Sequence, residues 1–268
     1  MLMIAAKQNI LLHTINVTIS KMPFGTLPFE AESVPIFSPP YPKPPDPYSF
    51  AIDMMLGFTY RVAASQVRHL VPDVLELEDE PLVSSTVLDY GMSPVGAYKE
   101  FVHQVEVTYK SEKFMYSLIL ILDNEAAIFA GREQYGFPKV FGKADIQTTN
   151  GTRLVLANAQ RPAGRNVFEC EFIPDHRVPN LPAAEKWGLN LHSIPQPCAG
   201  TSPAIQELIP TIMDWKFTEI WAGHGQITFP RRSAFDPWCG VDILRYEGSF
   251  FARGLTGELR CRGESFQV

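Results

Sequence analysis

The chain has 268 residues, 46% of them hydrophobic and 19% charged, which is enough for one large domain or two small ones with a substantial core. Its formal net charge is −6, from 29 acidic and 23 basic residues with no dense basic run, which argues against a nucleic-acid partner. Cys170, Cys198, Cys239 and Cys261 are widely spaced and form no CxxC, so neither a zinc spacing nor a disulfide framework is indicated.

Met1 to about Lys21 reads as a short strand or an ordered arm. It lacks the unbroken apolar run and cleavage site of a signal peptide, and no stretch approaches a membrane-spanning length. The expectation is a soluble, cytoplasmic protein with no membrane partner. From Met22 to Pro47 prolines dominate, and a run such as Phe37-Ser-Pro-Pro-Tyr-Pro-Lys-Pro-Pro-Asp-Pro47 is extended rather than helical or part of a central strand. Residues 1–47 therefore read as an N-terminal arm that wraps along the surface, and 48–268 as a single globular domain.

Strands are expected at Met54–Arg61, Leu82–Asp89, Phe101–Tyr109 and Ser117–Leu122, the last apolar throughout and so buried on both faces. Ala63–Leu70 is the clearest helix, with Ala64, Val67, Leu70 and Val71 at helical spacing and Pro72 ending it. Further strands are expected at Lys143–Thr149, Thr152–Ala159 and Asn166–Phe172. Asp175–Cys198 reads as a long loop with a short strand near Leu189–Ile194, and Ile205–Ile209 is ambiguous between helix and strand. Phe217–Phe229 reads as a bent strand around two glycines, Val241–Phe251 as one strand or two, and Leu255–Arg262 as the last strand. The sum is α+β and predominantly antiparallel β; periodicity alone does not separate barrel from sandwich.

Between the apolar strand and Lys143 lies DNEAAIFAGREQYGFPKVFGK, residues 123–143: a short apolar segment, the charged pair Arg132-Glu133, an aromatic turn, and then Lys139. Phe137, Pro138, Val140 and Phe141 surround this lysine in sequence. Desolvation favours a neutral amine, which is what an amine nucleophile requires; the alternative is a lysine whose stem packs while its head reaches water. His103 lies three residues after Glu100 and would face the other side of a strand. His224 and the aromatics Trp221, Trp238, Phe137 and Tyr135 are read first as structural. No phosphate-binding loop, Ser-His-Asp motif or metal-ligand cluster is apparent, and no cofactor is called for.

The stretch LDNEAAIFAGREQYGFPKVFGK resembles the core signature of the acetoacetate decarboxylase family. Pro47-Tyr-Ser-Phe50, Tyr60-Arg61, Leu70-Val-Pro72, Glu80-Pro-Leu-Val83, Tyr98-Lys-Glu100, Trp221-Ala-Gly-His-Gly225 and Ala234-Phe-Asp-Pro237 follow the family's order, so the resemblance covers about Pro47 to Gly254. It implies a closed conical β-barrel with few peripheral helices, a tendency to form homo-oligomers, and a cofactor-free lyase acting on a small keto substrate. It also implies that Lys139 is the imine-forming lysine, and the family is itself the usual illustration of amine activation by desolvation or a neighbouring cation.

Glu100 matches a carboxylate that the family keeps near the lysine, a proton shuttle or orienting group. Three positions depart from the pattern: Val140 replaces a second lysine, Thr86 a glutamate and Asp53 an arginine. Arg61 and Arg132 are the alternatives for pairing a substrate carboxylate, with Tyr98, Phe137 and Val140 as further substrate-binding candidates. Asp53 would set an anion where the family holds one. A larger or less charged carbonyl compound, such as a polyketide-like intermediate of secondary metabolism, then fits better than acetoacetate. Decarboxylation is the first reaction to write; aldolase, dehydratase or cyclase chemistry, or a non-catalytic binding barrel, are the alternatives.

Overall fold

A computed structural model describes residues 23–28, 33–43, 45, 47–179, 186–230 and 233–268. The expected strand or arm at Met1–Lys21 lies outside the described residues. The strands are β1 (Tyr48–Arg61), β2 (Leu82–Met92), β3 (Tyr98–Tyr109), β4 (Glu112–Leu122), β5 (Lys139–Phe141), β6 (Lys143–Thr148), β7 (Val155–Gln160), β8 (Asn166–Val178), β9 (Trp187–Ile194), β10 (Ile205–Thr228), β11 (Arg245–Cys261) and β12 (Phe266–Gln267). Two α-helices accompany them, α1 (Ala64–Val67) and α2 (Glu125–Tyr135). The expected helix at Ala63–Leu70 is present, but only as α1 followed by a 3-10 turn over Arg68–Leu70, and Pro72 disfavours helical backbone at Val71 just beyond it.

One mixed, mostly antiparallel sheet carries everything. Its order is β11-β1-β2-β3-β4-β9-β10, and β10 pairs in turn with β11, so the pairings return on themselves as a ring. From β10 the sheet continues outward through β8, β7 and β6. Two pairings are parallel, β4 with β5 and β4 with β9. The β4–α2–β5 unit is thus a crossover packed against an otherwise antiparallel ring.

Two cores follow from the two faces. One draws Phe58, Phe101, Ile121, Ile146, Phe168 and Phe172 together, between the ring wall and the β6–β8 extension. The other takes side chains from β1, β2, β3, β4, β10, β11 and α2 alike. The helix α2 packs into this second, inner cluster, whereas the first, outer one takes in the β6–β8 extension.

Several elements run longer than periodicity suggests. β10 is one 24-residue strand that absorbs the ambiguous Ile205–Ile209 segment as well as Phe217–Thr228. β8 extends to Val178, into a stretch expected to be loop. In Trp221-Ala-Gly-His-Gly225 the glycines have a packing reason: a Cβ on Gly223 or Gly225 would collide with the Ile173 or Glu171 carbonyl on β8. His224, between them, is exposed and pairs with Asp175 at 3.0 Å. Among the described residues no helix is long and apolar enough to cross a membrane.

Candidate active site

The site begins with α2, whose sequence carries both stop signals. Asn124 caps the first turn, its side chain accepting the Ala127 N–H at 2.8 Å. Gly136 ends the helix at φ 68°, the left-handed conformation that favours glycine, and a Cβ there would also sit 2.6 Å from the His192 backbone. The chain then turns back: Phe137 N–H donates to Gly131 O at 3.0 Å, and Leu120 N–H to Pro138 O at 3.1 Å. Arg132 Nη1 donates to the Lys139 carbonyl at 3.1 Å. The backbone of Lys139 is therefore fixed by β4 on one side and the last turn of α2 on the other.

Its side chain crosses Gly131 and ends 2.9 Å from Glu100 Oε1. Both side chains are buried, at 8% and 3% exposure. The ammonium also lies 5.5 Å from the Tyr98 ring centroid and 5.7 Å from that of Phe137, within reach of both π faces. A buried ion pair holds only when its geometry offsets the cost of desolvating two charges, so removing one partner leaves the other strongly destabilised. The cleft wall is otherwise apolar and aromatic, built from Tyr48, Phe50, Tyr98, Gly131, Phe137 and Leu259.

Tyr90, absent from the sequence-based candidates, stacks on Tyr98 with ring centroids 4.5 Å apart and feels the Glu100 charge. Burial first, and the Glu100 charge second, push the phenols of both tyrosines well above their ordinary range, so each stays protonated. The signal was present in the alternation Leu88-Asp-Tyr90, which sets Tyr90 on the face that pairing gives to Glu100.

Of the residues expected to bind substrate, Tyr98 and Phe137 line the cleft. Arg61 does not: it sits at the far end of β1 among Glu78, Glu247 and the Glu80 carbonyl. Arg132 is occupied with the Lys139 carbonyl and is not in the wall. Val140 faces the opposite core, because neighbours on a strand point to opposite sides. Asp53 also corrects an expectation: it is exposed and lies where a Cβ on Gly91 would meet it, so it brings no anion into the cleft. Thr86 is buried.

His103 faces away from Glu100, as strand alternation requires. It is part of a buried chain, Nδ1 2.9 Å from Ser85 Oγ and Ser85 Oγ 3.0 Å from Tyr60 Oη. Burial holds its pKa down at about 3. Trp221 and Trp238 also pack on that outer core. Among the described residues no group of three or more His, Cys, Asp or Glu side chains is placed to hold a metal ion.

The fold is thus a β ring packed with a helix, and its cleft holds a buried lysine–glutamate pair. The family model for acetoacetate decarboxylase matches residues 33–260, and the chain belongs to that family. Decarboxylase DEC1 of Cochliobolus heterostrophus is 36% identical over 233 residues, covering 85% of this chain and 91% of its own. An acetoacetate decarboxylase of Clostridium botulinum is 33% identical over 210 residues, covering 68% and 82%. A solved acetoacetate decarboxylase structure superposes with a TM-score of 0.77 at 25% identity, covering 89% of this chain and 96% of that one. The enduracididine biosynthesis enzyme MppR, bound to the condensation product of pyruvate and imidazole 4-carboxaldehyde, shares the fold at TM-score 0.69 and 20% identity, covering 89% and 97%. Family and relatives make this chain an enzyme of decarboxylase type, a lyase.

Proposed function

We propose that the chain is a cofactor-free lyase that decarboxylates a β-keto acid or polyketide-like carbonyl substrate through an imine on Lys139. The observation that supports this most directly is the 2.9 Å approach of Lys139 Nζ to Glu100 Oε1 inside an aromatic cleft. Glu100 takes a proton from the ammonium, and the free amine adds to the substrate ketone. Loss of water gives a protonated imine. The bond to the carboxylate then breaks, its electron pair moving toward the imine nitrogen, and carbon dioxide leaves with formation of an enamine. Protonation at carbon and addition of water release the ketone and regenerate the amine. Tyr90 and Tyr98, protonated and close enough to feel the Glu100 charge, help to keep that carboxylate in place.

Aldolase, dehydratase or cyclase chemistry is the second reading. Lys139 is the one cation among the described residues of the cleft wall, which leaves no guanidinium to hold a substrate carboxylate. MppR, on the same fold, holds a condensation product. Both readings share the imine. The proposal includes assembly as a homo-oligomer, with residues 48–268 as one catalytic domain and the segment before them as an arm.

Borohydride trapping with β-keto acids and bulkier diketones, read by peptide mass spectrometry on wild type and Lys139→Ala, tests the imine. A reduced adduct on Lys139 that is absent from the variant is expected. No adduct with any ligand that demonstrably binds would sink the mechanism, and carbon dioxide release from trapped substrates separates the two readings.

A further inference from the structure

The cleft at Lys139 has a free volume of about 30 Å³, room for about one or two water molecules. Any β-keto acid is larger, so part of the wall must move for a substrate to sit enclosed beside the amine. The candidates differ greatly in how they are held. β1 and β11 are each laddered to two neighbours over most of their length. The helix α2 is capped at both ends.

Residues 33–41 of the arm are held otherwise. Ser33 and Tyr41 are buried, at 8% and 3% exposure, while Val34 and Phe37 between them stand at 75% and 77%. Both anchors bond the same oxygen: Ser33 Oγ donates to Glu133 Oε2 at 2.9 Å, and the Tyr41 hydroxyl donates to it as well. Between the anchors one local turn bond, Ser38 N–H to Pro35 O at 3.0 Å, closes the segment on itself. The Tyr41 ring enters the inner cluster with Tyr48 and Phe50, two of the cleft-lining residues. Glu133 is exposed and follows Arg132, whose guanidinium holds the Lys139 carbonyl. Water competes for an exposed carboxylate, and a segment with few buried contacts opens at low cost. Desolvation first, and the bond to Glu133 next, push the Tyr41 phenol up to about 12, which keeps it a donor.

We propose that residues 33–41 form a strap across the mouth of the Lys139 cleft, with Tyr41 as its plug and Glu133 as its latch, and that the substrate enters when the strap lifts. As a control on access to the proposed reacting amine, the strap rests on the imine reading for its purpose. Its geometry is tested without that chemistry.

The test is amidination of the full-length protein by methyl acetimidate, a small amine reagent, followed by peptide mass spectrometry. The rate at Lys139 is taken relative to exposed Lys143. In Glu133→Ala and Tyr41→Ala the relative rate is expected to rise at least tenfold, and in Ser33→Ala by less. Tyr41→Phe keeps the packed ring and loses only the latch, so it decides the matter together with Glu133→Ala if Tyr41→Ala does not fold. Rates within twofold of wild type in both of those variants would overturn the strap. A faster Lys139 label with no borohydride adduct would keep the strap and remove the imine.

Discussion

The substitution Gly131→Ala isolates the lysine from the fold. In an ordinary helix interior, replacing glycine by alanine gains about 1 kcal/mol of propensity. Here the new Cβ would lie 2.6 Å from both Lys139 Cδ and Cε and 3.4 Å from Nζ. Ordinary carbon–carbon contact begins near 3.5 Å, so the lysine stem must shift by about 1 Å. The colliding atoms belong to the far part of a flexible side chain, not to backbone, so the stem gives way and the helix stays. Displacing a reacting group by about 1 Å costs about a hundredfold in rate. The expectation is therefore a melting temperature equal to or above that of wild type, with turnover of the trapped substrate reduced by about a hundredfold. Thermal denaturation and a carbon dioxide or product assay on the same preparation read both. Turnover within threefold of wild type, with Lys139 still trapped by borohydride, would refute the packing argument.

Glu100→Gln keeps the shape and removes the charge that faces Lys139 at 2.9 Å. It should fold with reduced stability, since Lys139 loses its buried partner, bind ligand, and lose adduct formation by about a hundredfold, within the usual range for a positioned proton-transfer group; a trapping rate like that of wild type would remove Glu100 from the mechanism. His103 should make the fold acid-sensitive. It stays neutral in the folded chain down to about pH 3, whereas the unfolded chain takes up its proton below about 6.5. Its contribution is thus complete above pH 6.5 and is lost as pH falls toward 3, at about 1.4 kcal/mol per unit. Urea denaturation at pH 7 and pH 5 should show a smaller drop for His103→Gln than for wild type, and equal drops would contradict this.

Part of the candidate site is legible in the sequence because its parts are local, with Glu100 reached through the family resemblance. Lys139 and Glu100 come from one stretch around β3, β4 and β5, and the aromatic turn is written out as Tyr135-Gly-Phe-Pro138. The helix between them was visible only as an apolar segment: its interior mixes charges with small residues, and the decisive marks are the cap at Asn124 and the left-handed Gly136. Arg61 was misplaced because a guanidinium near an active-site motif says nothing about which end of a strand it occupies; two carboxylates and one carbonyl at the far end of β1 claim it. Asp53 and Val140 were misjudged for a related reason. A position matched to a family member fixes the residue but not the face, and the bulge between Ile52 and Met54 shifts the facing of β1. Long strands such as β10 are divided in the sequence reading because Pro210 and two glycines punctuate them, while their partners across the sheet, unseen in one sequence, keep them continuous.

The proposed reacting pair and one part of the wall around it belong to different parts of the chain. Lys139 and Glu100 stand on the contiguous run from β3 through α2 to β5, and that run supports its own geometry through caps, a crossover and the Arg132 contact. Beside the lining that this run supplies itself, Tyr48, Phe50 and Leu259 come from β1 and β11, and Tyr41 packs in the same cluster as all three. Such a division of labour lets heredity edit what enters without disturbing what reacts. One amine, kept in place, can be offered to a succession of different molecules by exchanging only the residues at its threshold.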